Sequence, residues 1–142
     1  PLKRNPYNEV ECSDHYARAL ASWGVLLALS GFEYHGPKGH IGFAPRMTPE
    51  DFRCAFTGAE GWGTFTQTQT GGLQKETIEV KWGSLRLKTL AFATPQLAGD
   101  ASVYLNEIPA PTTHRWKNGR LTIELADAVV LGKDDRLSVE TG

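Results

Sequence analysis

The sequence is poor in the features that mark several specialised classes of protein. It has two cysteines, Cys12 and Cys54, which are too few for a disulfide framework, and no bond between them is expected. Its net charge of −1 provides no basic excess to neutralise phosphates, so nucleic-acid binding is not expected. The apolar run at residues 23–32 is far shorter than the roughly 20 residues that span a bilayer, which predicts no transmembrane segment. The four histidines show no metal-ligand spacing, and we expect neither a metal nor a cofactor.

The overall composition is that of a folded globular protein. Hydrophobic residues make up 40% of the chain and charged residues 22%, which is typical of a sequence that builds a core. A length of 142 residues suits one domain, or one small domain together with a fragment of another.

A strongly apolar helix is predicted in the first third of the chain. It ends at Gly31, a favourable residue just beyond a helix, and two starts remain open. Asn8 is one candidate N-cap, with Glu11 completing a capping box, and Ser13 is the other. Beyond Trp23 the helix is apolar nearly all round, which is typical of burial on most sides. We therefore expect it to form one wall of a structure whose other walls lie outside this chain.

Polar side chains lie along one stripe at the start of this helix, spaced three and four residues apart. They are Glu11, Asp14, His15, Arg18 and Ser22. In a purely structural interpretation, Asp14 and Arg18 form a surface ion pair and Glu11 belongs to the capping box. In a functional interpretation, Glu9 lies in an extended lead-in and converges with Arg18 at the helix start. A carboxylate and a guanidinium placed together there would clamp sugar hydroxyls.

The second part of the chain changes to the alternating pattern of β-strands. Strands are predicted at residues 61–69, 76–82, 85–89, 102–105, 120–125 and 137–139. Gly83-Ser84 and Asn118-Gly119 are both interpreted as hairpin turns. Upstream, residues 41–44 predict a short strand and residues 48–52 a one-turn helix. So many short strands favour a small antiparallel sandwich.

Four aromatic residues of this region are candidates for a platform that stacks on sugar rings. They are Trp62, Trp82, Tyr104 and Trp116. Packing inside the sheets is the favoured interpretation for the group. Trp62 is the candidate exception, because it lies between two glycines, where backbones approach closely.

Several short segments match a known enzyme family. They are NPYNEVEC at residues 5–12, HYARA at 15–19, ASW at 21–23, GFAP at 42–45 and GWGTF at 61–65. Together they resemble the C-terminal end of glycoside hydrolase family 116, the non-lysosomal glucosylceramidases and bacterial β-glucosidases. The resemblance implies a parent with an N-terminal β-sandwich and an (α/α)6 toroid. It also implies hydrolysis of β-glycosides with retention by a Glu nucleophile and an Asp acid/base. Both carboxyls lie upstream in the family, so this chain is expected to contain no catalytic residue.

The resemblance also implies roles for individual residues. The family places a Glu and, nine residues later, an Arg against the far hydroxyls of the bound glucose, and Glu9 and Arg18 match that spacing. Glu11 and His15 complete the predicted substrate-binding set, and whether Glu9 or Glu11 faces the sugar is open. A second family Arg, six residues further on, is replaced here by Gly24.

These observations predict an α+β fragment, in which the terminal helix of an (α/α)6 toroid is followed by a small antiparallel β-sandwich-like tail. Residues 1–60 would end the catalytic domain and residues 61–142 would form the tail. The predicted function is the C-terminal segment of a retaining β-glycosidase, with a β-glucoside as substrate and the upstream catalytic domain as partner. One alternative is a non-catalytic carbohydrate-binding or structural sandwich. Another is a module whose apolar helix enters a partner's groove.

Overall fold

The computed structural model describes residues 16–94 and 99–142, with side-chain surroundings from Leu20 onward. These residues form one α-helix, a short 3₁₀ turn at Gly36–Lys38 and eleven strands. The helix is α1 (Tyr16–Ser30), and the strands are β1 (Glu33–His35), β2 (His40–Phe43), β3 (Asp51–Thr57), β4 (Gly61–Thr70), β5 (Leu73–Gly83), β6 (Leu85–Ala93), β7 (Ala101–Leu105), β8 (Ile108–Ala110), β9 (Thr112–Lys117), β10 (Arg120–Leu131) and β11 (Arg136–Thr141).

The strands form two sheets that share one core. The five-stranded sheet has the order β1-β2-β6-β10-β9, and the six-stranded sheet has the order β3-β4-β5-β11-β7-β8. Neighbours within each sheet are antiparallel except β2 and β6, which run parallel from the His40–Thr89 pair onward. Aromatic rings join the sheets: Phe43 stacks on Phe65 at a centroid distance of 3.8 Å, and Phe65 lies 6.1 Å from Phe92. The architecture is therefore a β-sandwich.

Two turn predictions had different outcomes. The Asn118-Gly119 hairpin is confirmed, because Lys117 and Arg120 are register partners and both turn residues have positive φ. The Gly83-Ser84 hairpin is wrong. This pair links β5 in the six-stranded sheet to β6 in the five-stranded sheet, so it carries the chain across the sandwich.

Helix α1 is held at its C-terminal end. Its predicted end is confirmed, since Gly31 follows the last helical residue with φ of +57°. The amide of Ala44 donates to the carbonyl of Ser30, and the amide of Arg46 donates to the carbonyl of Leu29, both at 2.9 Å. The segment that leaves β2 thus satisfies carbonyls that the helix itself cannot pair.

Most described apolar side chains of α1 face solvent. Leu26 packs against the core, whereas Leu20, Trp23, Val25 and Leu27 are exposed. This contrasts with the nearly all-round burial that their apolar character predicts, so the walls expected to cover the helix are not supplied by the described part of this chain. No described helix is long and apolar enough to cross a membrane.

The predicted fold class is wrong. The described chain is mainly β, with strands in two sheets and a single helix, and it is not the terminal helix of an (α/α)6 toroid followed by a tail. The one-turn helix predicted at residues 48–52 is also wrong, because β3 begins at Asp51 and buries Phe52, Cys54 and Phe56 on alternate positions. The division at residue 60 between a catalytic domain and a β tail stays a prediction.

Candidate functional site

The predicted substrate-binding residues lie at the edge of what the structure describes. Glu9, Glu11 and His15 fall outside the described residues. Arg18 belongs to α1, but its side chain is also outside the described part. The clamp of Glu9 with Arg18 therefore stays a prediction.

Two of the four aromatic candidates stand side by side on the outer face of the six-stranded sheet. Trp62 on β4 and Trp82 on β5 are register partners, and they are 48% and 62% exposed. The interpretation as a core aromatic is therefore wrong for Trp82, whereas Trp62, the candidate exception, is exposed. Tyr104 and Trp116 are only partly exposed, and Trp116 packs against the core.

A β-bulge turns Trp82 outward. Gly63 is paired with Val80 and Trp62 with Trp82, so Lys81 is an extra residue on β5. Val80 faces the core, and strict alternation from it would send Trp82 inward as well. The extra residue reverses that direction and places the second indole beside the first.

The backbone under the tryptophan pair is tightly packed. A Cβ atom on Gly61 would lie 2.6 Å from the carbonyl oxygen of Trp82 and 2.7 Å from that of Ser84. On the other strand, a Cβ on Gly83 would lie 2.0 Å from the carbonyl oxygen of Glu60. Both positions accept only glycine unless the main chain moves. This close packing fixes the backbone positions from which the two indoles extend.

Charged and hydroxyl groups form the next row on the same face. Thr64 is paired with Glu79, and Glu79 with Arg136. One carboxylate oxygen of Glu79 accepts from Lys81 Nζ at 2.7 Å and from a guanidinium nitrogen of Arg136 at 3.2 Å. Led by the hydrogen bond from Lys81, these cations hold the pKa of Glu79 below its ordinary value, so the carboxylate is ionised.

A second polar group lies inside the sandwich. Gln67, Gln74 and Glu76 are buried on the inner face of the six-stranded sheet. Gln74 Nε2 donates to Glu76 Oε1 and, at 2.9 Å, to the carbonyl oxygen of Ala93. Gln69 in turn donates to Gln74 Oε1 at 2.7 Å. This chain of bonds ties β4 and β5 to β6 in the opposite sheet.

Glu76 lacks a donor for its second oxygen. Within the described residues, both Glu76 Oε2 and Gln67 Oε1 are buried without a hydrogen-bond partner, and the two residues are register partners. Burial raises the pKa of Glu76 to about 7, against weaker opposing hydrogen bonds. A protonated Glu76 carries an O–H donor, which the ionised carboxylate lacks. Because the carboxyl is enclosed in the core, it is unsuited to act on a substrate.

The lysine in the described cleft and the described cysteine are also unsuited to catalysis. An open cleft of about 440 Å³ contains Lys88, whose Nζ donates to the carbonyls of Leu125 at 2.6 Å and Ala126 at 3.0 Å. Cys54 is a free thiol, and burial raises its pKa to about 11, which is the opposite of what a nucleophile needs. The described residues contain no group of three or more His, Cys, Asp or Glu placed to hold a metal ion.

Comparison with known proteins finds likeness in structure but not in sequence. No family model matches the sequence, and no curated protein matches it. The chain is similar to part of the crystal structure of a GH127 β-L-arabinofuranosidase from Geobacillus stearothermophilus T6, with a TM-score of 0.50 and 14% identity over 92% of this chain. A second similar structure, described as a glycoside hydrolase, has a TM-score of 0.46 and 15% identity over 100% of this chain.

The chain spans about one fifth of each of these solved chains, at 19% and 22% of their lengths. At such low identity the likeness shows the fold alone. The fold is thus similar to that of part of the GH127 arabinofuranosidase, and the likeness does not single out family 116.

Proposed function

We propose that this chain is a β-sandwich portion of a glycoside hydrolase whose catalytic carboxyls lie outside residues 1–142. The observation that carries the proposal is that 92% of the chain matches 19% of a much longer glycosidase. The chemistry of the described acids agrees with this role. Glu76 is enclosed in the core, and Glu79 is held between two cations, so neither is placed as a catalytic acid or nucleophile.

In its finer form, the proposal is a retaining β-glucosidase similar to family 116, and it rests on the sequence resemblance of residues 5–65. Glu9 and Arg18 would bind the far hydroxyls of the sugar, with Glu11 and His15 beside them. The exposed apolar side of α1 supports contact with a preceding catalytic domain, because exposed apolar surface of this extent marks an interface. The covalent steps would belong to that domain, and this portion would orient the substrate.

Hydrolysis of an aryl β-glucoside by the full-length enzyme tests the proposal. Glu9→Gln and Arg18→Met should each lower kcat/KM by on the order of 100-fold, as expected when a charged contact to substrate is lost. Glu140→Gln is the matched control, because Glu140 is a half-exposed carboxylate on the sandwich that pairs with Lys75. Residues 1–142 alone should show no turnover.

Three results would contradict the proposal at different levels. Turnover by residues 1–142 would place the catalytic carboxyls inside this chain. Near-normal activity of folded Glu9→Gln and Arg18→Met enzymes would show that both residues have a structural role and do not bind the substrate. Preference for an aryl β-L-arabinofuranoside would agree with the proposal of a glycosidase but contradict the specificity similar to family 116.

A further inference from the structure

We propose that Trp62 and Trp82 form a binding platform for the pyranose rings of a neutral glycan. This goes beyond the proposed function, since the platform lies on the sandwich and involves none of the predicted substrate-binding residues. The two indoles belong to directly opposed residues, and opposed Cα atoms are about 4.5–5.5 Å apart. Side by side they offer an apolar surface on the scale of one or two sugar rings.

The bulge is independent evidence that the fold itself exposes Trp82. Without the extra residue Lys81, Trp82 would follow Ile78 and Val80 into the core, where a large aromatic side chain contributes most to stability. The fold instead exposes Trp82 beside Trp62. The backbone beneath the two residues is packed so closely that a side chain at Gly61 or Gly83 would have no room. Bulges that re-aim one side chain in this way are common next to binding sites.

The surroundings of the pair match the chemistry of a sugar. A pyranose ring has an apolar C–H face and a rim of hydroxyls, so it needs an aromatic surface bordered by donors and acceptors. The row of Thr64, Glu79 and Arg136 lies next along the sheet, two residues from Trp62 on β4 and three from Trp82 on β5, about 7 Å away. Thr57 borders Trp62 on the neighbouring strand. Ionised Glu79 accepts from hydroxyls, Arg136 donates to them, and threonine does both.

The same surroundings argue against a protein partner. The core of a protein interface is a contiguous apolar patch from which charged residues are depleted. Here the neighbouring outward positions carry hydroxyl and charged side chains. The nearest are Thr64, Glu79 and Lys81, and Thr66 and Thr77 form the row beyond them. Lys81 and Arg136 both pair with Glu79, so charges of both signs lie beside the tryptophans, which favours a neutral ligand over a polyanion.

Calorimetric titration of the 142-residue chain with cellohexaose, laminarihexaose and xylohexaose tests the platform. At least one oligosaccharide should bind, and Trp62→Ala and Trp82→Ala should each weaken its binding at least tenfold. Trp62→Phe and Trp82→Phe should give smaller losses, because a smaller aromatic face remains. Trp23→Ala is the matched control: Trp23 is 61% exposed, similar to Trp82, but lies on α1, so its loss should leave binding unchanged.

Thermal unfolding of each variant establishes that it folds, which is expected because both side chains lie outside the core. The proposal is overturned if none of the three oligosaccharides binds at millimolar concentration, or if the alanine variants bind as tightly as the parent sequence. It is also overturned if Trp23→Ala causes the same loss, or if Trp82→Ala instead abolishes self-association of the chain. No hydrolysis is measured, so the outcome is independent of the proposed enzymatic activity.

Discussion

At the scale of single residues, Glu76 is the most deeply buried ionisable group among the described residues. Its side chain is 1% exposed on an inner strand face, one carboxyl oxygen accepts from Gln74, and the other has no hydrogen-bond partner among the described residues. In such a place the protonated form is favoured, because burial penalises the ionised carboxylate and leaves one of its oxygens without a donor. The sandwich therefore holds a proton near neutral pH that the unfolded chain does not.

This proton makes stability depend on pH. The pKa of Glu76 is about 7 in the fold, against an ordinary value of 4.5, so the folded state binds more protons between these values. The free energy of unfolding should therefore fall as pH rises through this window, by roughly 3 kcal/mol in total. Urea unfolding at pH 5 and pH 8 measures the change. The lowered pKa values of Glu79 and Asp135 act in the opposite sense and at lower pH.

Glu76→Gln isolates the effect, since the amide keeps the shape of the side chain and cannot ionise. The variant should lose most of the pH dependence, whereas Glu140→Gln, at a half-exposed carboxylate, should retain it. An identical pH dependence in the parent sequence and in Glu76→Gln would show that Glu76 is already ionised in the fold.

At the scale of elements, the crossing from β5 to β6 depends on Gly83. Its φ is +74°, and a Cβ there would lie 2.0 Å from the Glu60 carbonyl oxygen. Gly83→Ala should therefore destabilise the fold by more than the roughly 1 kcal/mol that positive φ alone costs. Gly71 is the matched control, because its φ is +60° and a Cβ on it would have no atom within 4 Å.

Chemical denaturation of the two alanine variants measures the difference, and we expect Gly83→Ala to lose at least about 1 kcal/mol more than Gly71→Ala. Equal losses would mean that the Glu60 loop yields without cost. In that case the backbone beneath the tryptophan pair would be more easily displaced than its close packing indicates.

The elements that sequence predicts well are those fixed by their own residues. Asn118-Gly119 forms its hairpin because both residues tolerate positive φ, and Gly31 ends α1 for the same local reason. In strand β3, Phe52 and Phe56 alternate with polar residues, yet the residues that follow Thr48 are also typical of a helix start. There, burial of the phenylalanines in the sandwich overrides the local helix signal.

What the sequence does not predict depends on a neighbouring strand. Alternation puts Trp82 on the face of Val80, and only pairing with β4 creates the bulge at Lys81 that turns it outward. In the sequence, Gly83 indicates a turn, but it does not indicate which sheet the chain enters next. Alternation does place Glu76 on the same face as Ile78, so the sequence pattern is sufficient to predict its burial. Its pKa, by contrast, depends on the side chains that surround it in the core.

At the scale of the whole molecule, α1 and the sandwich differ in how they are stabilised. The sheets are joined by long-range pairing and a shared core, whereas α1 is fixed by its C-terminal bonds and by Leu26, and exposes most of its other described apolar side chains. A solitary helix of this length is marginal in water. Hydrogen exchange on the 142-residue chain should therefore show α1 amides exchanging at least tenfold faster than those of β4 and β5.

The same measurement on the full-length enzyme connects this prediction to the proposed function. If a preceding domain covers the apolar side of α1, protection of the helix should rise toward that of the sandwich. Equal protection of α1 and the central strands in the 142-residue chain would contradict the prediction, because it would show that the helix needs no further contact.

The attachment of α1 also has a mechanical consequence. The described part of the helix has 15 residues and is about 22 Å long, and apart from the Leu26 contact its anchors lie at the end formed by Leu29, Ser30 and Gly31. A tilt of about 5° at this joint would displace the far end by roughly 2 Å, a lever effect set by the helix rise per residue. The geometry at Gly31, where a Cβ would lie 2.6 Å from Ala44, thus sets the position of the opposite end of the described helix.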